Sequence, residues 1–211
     1  MHHNSGVHYL KRAIPVLGLG AVLSLAFFLA PFEPQAQESE PAVRRVVAKM
    51  RSLSSFQAKV TINTSEGGGL SGTLHYQNGK THFKLRDGRV IASDGHFLTV
   101  YSPSSSVAGK QEMYSSGGGL GWLLSGFESK VIGHSARLKA LKPDRSVQEV
   151  RLIWHPDFTL SKISFRRKKS EGWTTIIFNS ITPIKNISPT MFSWRPPAGS
   201  RTVENPLNQK N

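Results

Sequence analysis

Between Gly72 and Pro103 the chain reads GTLHYQNGKTHFKLRDGRVIASDGHFLTVYSP, punctuated by Asn78-Gly79, Asp87-Gly88 and Asp94-Gly95. Asn-Gly and Asp-Gly tolerate the positive φ that both central positions of a two-residue hairpin turn require. The segments between them alternate. Leu74 and Tyr76 share a face opposite Thr73, His75 and Gln77, and Phe83 and Leu85 share a face opposite His82, Lys84 and Arg86. Three turns at this spacing leave room only for short strands, so the stretch is an antiparallel meander with one apolar face and one wet, basic face. A chain that commits thirty residues to such a meander cannot be a doubly wound α/β fold.

The flanking segments extend the pattern. Pro41 suits a first helical turn, and Ala42, Val43, Val46, Val47, Met50 and Leu53 recur at helical spacing with Arg44, Arg45, Lys49 and Arg51 mostly off the stripe. Phe56 to Thr64 reads as a strand with Val60 and Ile62 on one face, and Glu66 to Gly69 as a turn into the meander. Val107 to Tyr114, Glu128 to Gly133, Ala136 to Leu141, Val147 to Trp154, Leu160 to Arg167 and Trp173 to Thr182 follow as strands. Ser188-Pro189 opens a single helical turn before a last strand at Phe192 to Trp194. Ten or so strands with two or three short helices predict an α+β fold. It is a single curved antiparallel sheet forming a half-open, incomplete β-barrel, with short helices as a lid on its concave face.

Leu120, Trp122, Leu123, Leu124 and Phe127 crowd apolar surface into eight residues between glycines. That is too short for an independent helix and too apolar for an exposed loop, so it is expected to press on the inner face of the sheet, as a core plug or as a lid over a ligand. Strands apolar on both sides, Phe97 and Tyr101 against Leu98 and Val100, and Ile177 against Ile176 and Phe178, favour a curved sheet enclosing apolar space.

Residues Ala13 to Ala30 are nearly all apolar, follow Lys11 and Arg12, and precede Pro31, the layout of an export signal. Cleavage after Ala36 leaves Pro34 at the third position before the cut, and cleavage after Ala30 leaves Phe28 there. Neither matches A-x-A, so an uncleaved anchor stays open. The organisation read from the chain is an export segment at 1–36, one domain at 37–205 and a frayed tail at 206–211. There is no cysteine, which excludes lipidation of this chain itself, disulfides, thiolate catalysis and Cys-ligated zinc.

The formal charge of +14 is a common footprint of nucleic-acid binders. Export and the alternation of basic with apolar residues argue against that partner: Lys162 and Arg166 flank Ile163 and Phe165, and Arg151 sits between Val150 and Leu152. Two readings remain, a solvated outer face and attraction to anionic lipid headgroups or an acidic partner. Arg166 to Lys169 is the densest basic run. The eight histidines are scattered, HExxH, GxSxG and a P-loop are absent, and Asp87 and Asp94 read as turn residues. No catalytic or metal-binding set is expected, and no cofactor. His75 and His82 can face each other across a hairpin, read as an incidental solvent-facing pair.

The Ser93-Asp94-Gly95 turn, the aromatic strand ending Tyr101-Ser102-Pro103, the Ser54-Ser55-Phe56 entry to the first strand and the phrase FSWRPPAGSRTV resemble, in order, the LolA family of periplasmic lipoprotein carriers. The resemblance runs from about Pro41 to Val203. It implies a monomeric carrier in a Gram-negative-type periplasm that binds the acyl chains of lipoproteins and shuttles them from inner to outer membrane. The implied partners are acylated lipoproteins, an inner-membrane lipoprotein-releasing ABC transporter, and an outer-membrane receptor or anionic membrane surface. The cavity and lid would be built from Val43, Val46, Val47 and Met50; Leu74, Tyr76, Phe83 and Leu85; Leu98 and Val100; Leu120, Trp122, Leu123 and Leu124; and Ile163 and Phe165. The family often places Arg-Pro after its second strand, where this chain has Asn78-Gly79, so closure by that arginine is not expected. Related folds also serve as lipid-sensing regulatory modules, and carriage of another amphiphile, such as a glycolipid, is a further alternative.

Overall fold

The computed structural model describes residues 40–65, 67–112, 120–124, 126–168 and 172–204. The export segment, the tail at 206–211, Glu66, residues 113–119 and Lys169 lie outside the described residues, as does the side chain of Trp122. Helix α1 (Pro41–Ser52) comes first. Six strands follow: β1 (Ser55–Thr64), β2 (Gly69–Gln77), β3 (Lys80–Leu85), β4 (Val90–Ser93), β5 (Phe97–Ser102) and β6 (Val107–Glu112). A 3₁₀ turn (Leu120–Leu124) leads to β7 (Phe127–Ile132), β8 (Ser135–Ala140), β9 (Val147–Trp154), β10 (Leu160–Arg167) and β11 (Trp173–Pro183). A second 3₁₀ turn (Pro189–Met191) precedes β12 (Arg201–Glu204).

All twelve strands form one unclosed sheet in the order β12-β6-β5-β4-β3-β2-β1-β11-β10-β9-β8-β7. Two meanders meet at its centre, where β1 pairs with β11. Every pairing is antiparallel except β12 with β6. The sheet is an incomplete barrel with α1 laid on its inner side.

The turns differ from expectation in an instructive way. Only Asn78-Gly79 is a two-residue turn with both φ positive, at 47° and 84°. At Asp87-Gly88 and Asp94-Gly95 the glycine alone takes positive φ. The aspartates instead accept backbone hydrogen bonds: Asp87 Oδ1 from Arg89 N, and Asp94 Oδ1 from His96 N and Phe97 N, the latter two at 2.8 Å. This side-chain mimic of a turn widens the loop beyond two residues. Proline, which fixes φ near −65°, could not take the φ of 84° that Gly79 adopts here.

The expected last strand at Phe192 to Trp194 is not one. Phe192 and Ile187 are buried, and Trp194 stacks at 5.6 Å on Tyr101, on the sheet face opposite Leu98. There it covers a second cluster of Val90, Ala92, Tyr101 and Ala108. The chain then reaches the β6 edge as β12. So the stretch after the second 3₁₀ turn lies on the outer face, not the concave one. The two-sided apolar character of β5 has this cause too: Leu98 faces the inner core, and Tyr101 faces the crossing C-terminal segment.

Candidate functional site

The inner face is assembled by register. Val100, Ile91, Phe83, Leu74 and Ala58 are successive cross-strand partners from β5 to β1. On the other half Ile62, Ile176, Ile163, Leu152 and Ala136 continue the row from β1 to β8. Alternation does the rest, because residues two apart on a strand share a face. Val60 joins Ile62, and Phe165 joins Ile163. Gly72, between Leu70 and Leu74, is required by close approach: a Cβ there would sit 2.2 Å from the Lys84 carbonyl oxygen.

One helix and one 3₁₀ turn cover this face. Val43, Val46, Val47 and Met50 are buried along α1, and Leu123 and Leu124 are buried beside them. The helix is tethered at both ends. Glu40 N donates to Ser129 Oγ at 3.0 Å, and its carboxylate accepts from Val131 N at 3.4 Å. At the other end Lys49 pairs with Asp157 at 3.3 Å, Arg45 lies over the Phe158 ring, and Leu160 N reaches Met50 Sδ at 3.5 Å. Hydrogen bonds from the hydroxyl and backbone of Thr159, helped by Lys49, pull the Asp157 carboxyl down to about 2. The 3₁₀ turn is held by apolar contact: Leu123 and Leu124 belong to the core cluster and Leu120 packs against it.

The residues expected to line a cavity and lid come together in one cluster: Val43, Val46, Val47, Met50, Leu74, Phe83, Leu85, Leu98, Leu123, Leu124, Ile163 and Phe165 are buried in it, with Tyr76, Val100 and Leu120 packed against it. Tyr76 lies 5.1 Å from Phe56, ring to ring, and burial pushes its phenol pKa up. Phe127, expected to press on the inner face, does so; other residues that share this space were not singled out from the sequence as lining it, among them Phe56, Ile91, Leu138, Leu152, Trp154 and Leu160. Period-two alternation in Val147 to Trp154 and Leu160 to Arg167 is the signal that finds Leu152, Trp154 and Leu160. Beside Leu98 the inner face turns polar: Thr81, Ser93 and Gln111 are buried in register with it. Isolated polar residues in a short strand gave no sign of that row.

His75 and His82 do face each other, with ring centroids 6.3 Å apart. They are not a solvent-facing pair. His82 is buried, at 9% exposure, with Ala92 of the second cluster as its outer-face neighbour. His75 Nε2 contacts Gln57 Oε1 at 3.1 Å. Burial lowers both pKa values, and His82 is lowered further by His75 and Lys84. Among the described residues no group of three or more His, Asp or Glu is placed to hold a metal ion.

A largely antiparallel open sheet whose inner face is mostly apolar, covered among the described residues by one helix and one 3₁₀ turn, defines a class of half-open barrel folds. No protein-family model matches this chain, and no curated protein matches it by sequence. Solved structures do match. An uncharacterized conserved protein from Thermus thermophilus superposes with a TM-score of 0.55 at 8% identity, over 77% of this chain and 96% of that one. The complex of Pseudomonas aeruginosa MucA and MucB gives 0.49 at 9% identity, covering 72% and 60%. A LolA superfamily protein from Nitrosomonas europaea gives 0.40 at 12% identity, covering 71% and 96%. At such identities the likeness is one of fold.

Proposed function

We propose that this chain is a periplasmic carrier that takes the acyl chains of lipoproteins against the inner face of its sheet and moves them from inner to outer membrane. The export-type segment at 1–36 would place the domain at 37–205 outside the inner membrane, with 206–211 as a tail. Its partners would be acylated lipoproteins, an inner-membrane ABC transporter that releases them, and a receptor or anionic surface at the outer membrane. The observation that carries the reading is the cover over the inner face. A face running across both meanders, lined by Leu, Ile, Val and Phe, is covered among the described residues by the stripe of α1 and by Leu120, Leu123 and Leu124.

Magnitudes make the arrangement reasonable. A CH₂ taken from water gains about 0.8 kcal/mol, so a 16-carbon chain gains roughly 12. Unshielded lipoprotein cannot cross an aqueous compartment at that cost. A carrier that bound far more tightly than a membrane would never release its load. A groove already filled by its own side chains solves this, because each acyl chain must displace apolar contacts comparable to those it makes. The 3₁₀ turn packs on the core through Leu123 and Leu124 and is the element taken here to move aside. The test is titration of residues 37–211 with a fluorescent fatty acid. One site near saturation is expected; no binding by a folded, delipidated sample overturns the proposal.

A further inference from the structure

The outer face of β7 to β11 presents three cross-strand rows. The first is Ile132, Ser135, Ile153, Lys162 and Ile177. The second is Lys130, Arg137, Arg151, Ser164 and Thr175, and the third Glu128, Lys139, Glu149, Arg166 and Trp173. Six basic side chains thus share this surface with two carboxylates. One of those, Glu149, is buried at 4% exposure beneath Arg137, Arg151 and Arg166, at 2.6, 3.6 and 3.0 Å. Arg151 also lies over the Trp173 ring at 4.1 Å.

Arg137 and Arg151 are direct cross-strand partners, an arrangement that like charges disfavour. The single buried carboxylate holds the cluster together while the guanidiniums stay more than two-fifths exposed. Three large apolar side chains are exposed among the described residues, and two of them, Ile132 at 70% and Ile153 at 37%, stand in the first row. Exposed isoleucines beside Arg, Lys and a tryptophan match the chemistry of a membrane interface: cations for phosphate, apolar tips for the acyl boundary. An acidic protein would reward the charges but not the two isoleucines.

We propose that this face docks on an anionic phospholipid surface, with Lys130, Lys139, Lys162 and the arginines on headgroups and Ile132 and Ile153 entering the acyl boundary. The proposal names the membrane-facing side of the carrier and rests on that reading. It also places the contact on the opposite side of the sheet from the acyl-binding face, so the two are separable by substitution.

The experiment is flotation of residues 37–211 with vesicles of phosphatidylcholine and phosphatidylglycerol at 3:1, at low salt, with acyl-probe titration of the same samples. Lys130, Lys139 and Lys162 take no part in the ion pairs around Glu149, so Lys→Gln at all three tests charge without disturbing that cluster. Each Lys near an anionic surface contributes roughly fivefold in affinity, so the triple variant should bind about 100-fold more weakly. Ile132→Ser with Ile153→Ser should weaken binding about tenfold. A control triple on the other half of the outer face, Lys59→Gln, Lys80→Gln and Lys84→Gln, should stay within about twofold. Probe affinity should be unchanged in all three variants. Equal loss in the control triple, or no binding to anionic vesicles by the unsubstituted chain, overturns the docking face while leaving a probe-binding carrier intact. Normal docking by a chain that binds no acyl probe sinks the carrier reading and keeps the surface.

Discussion

Leu123→Ala separates a lid from a plug. Leu123 is 1% exposed and packs in the main cluster with α1 and the inner face. In either case truncation should cost about 2–5 kcal/mol of stability. The two cases part on binding. If acyl chains displace Leu123, entry forfeits the roughly 1.5–3 kcal/mol that its burial supplies. Alanine reduces that cost by about 1–2 kcal/mol, so a hexadecanoyl probe should bind roughly 5–30-fold more tightly. A hole in an ordinary core can also admit an apolar molecule, so a comparison is needed. Leu152 is equally buried but belongs to the wall, on β9. Leu152→Ala should lose similar stability and bind the probe more weakly, having lost contacts rather than a competitor. Urea unfolding and probe titration of both variants give all four numbers. Equal shifts in affinity for the two, or no gain for Leu123→Ala in a folded sample, would refute displacement.

Leu98→Glu should abolish probe binding, since an uncompensated charge on the inner face costs several kcal/mol; a folded variant with normal affinity contradicts the placement of Leu98. The histidine pair gives a pH dependence whose sign is fixed. Burial holds the folded pKa values of His75 and His82 below the ordinary 6.5, so protonation favours the unfolded chain. Stability should be level above about pH 6.5 and fall as pH drops through the lowered folded values; His82→Gln should flatten that slope in denaturant titrations. Trp194→Ala should cost about 2 kcal/mol by uncovering Tyr101 and its neighbours, with probe affinity unchanged. A change in affinity there would mean the C-terminal segment communicates with the inner face. Glu149→Gln should destabilise by about 1.5–3 kcal/mol, because three guanidiniums lose their shared negative charge and one acceptor oxygen becomes a donor, and added salt should recover part of the loss in thermal melts.

Much of this architecture was legible because it depends on local rules. Alternation in Val147 to Trp154, the stripe from Val43 to Met50 and the glycine turns each decide a face or a bend without help from distant residues. What escaped depends on long-range contact. Phe192 and Trp194 read as a strand because aromatic residues favour strands, yet tertiary packing on Tyr101 decides their conformation. His82 read as solvent-facing because alternation places it outside the sheet; it is nonetheless buried there, between His75 and Ala92. Asp87 and Asp94 look like Asn78 in sequence, but their carboxylates cap backbone amides, which lengthens the loops. The parallel pairing of β12 with β6 has no local signature. For the candidate site, the lining of the first meander was legible strand by strand, whereas the contribution of β7 to β9 needed the knowledge that the two meanders share one face.

Binding of acyl chains to the inner face is read directly by methyl NMR of residues 37–211 with a fatty acid carrying a nitroxide near its methyl end. Strong broadening of the Leu74, Leu98, Leu123 and Ile163 methyls is expected at one equivalent of ligand, while outer-face Ile132 and Ile153 stay sharp. Broadening confined to the outer face, or spread evenly over both, would contradict inner-face binding.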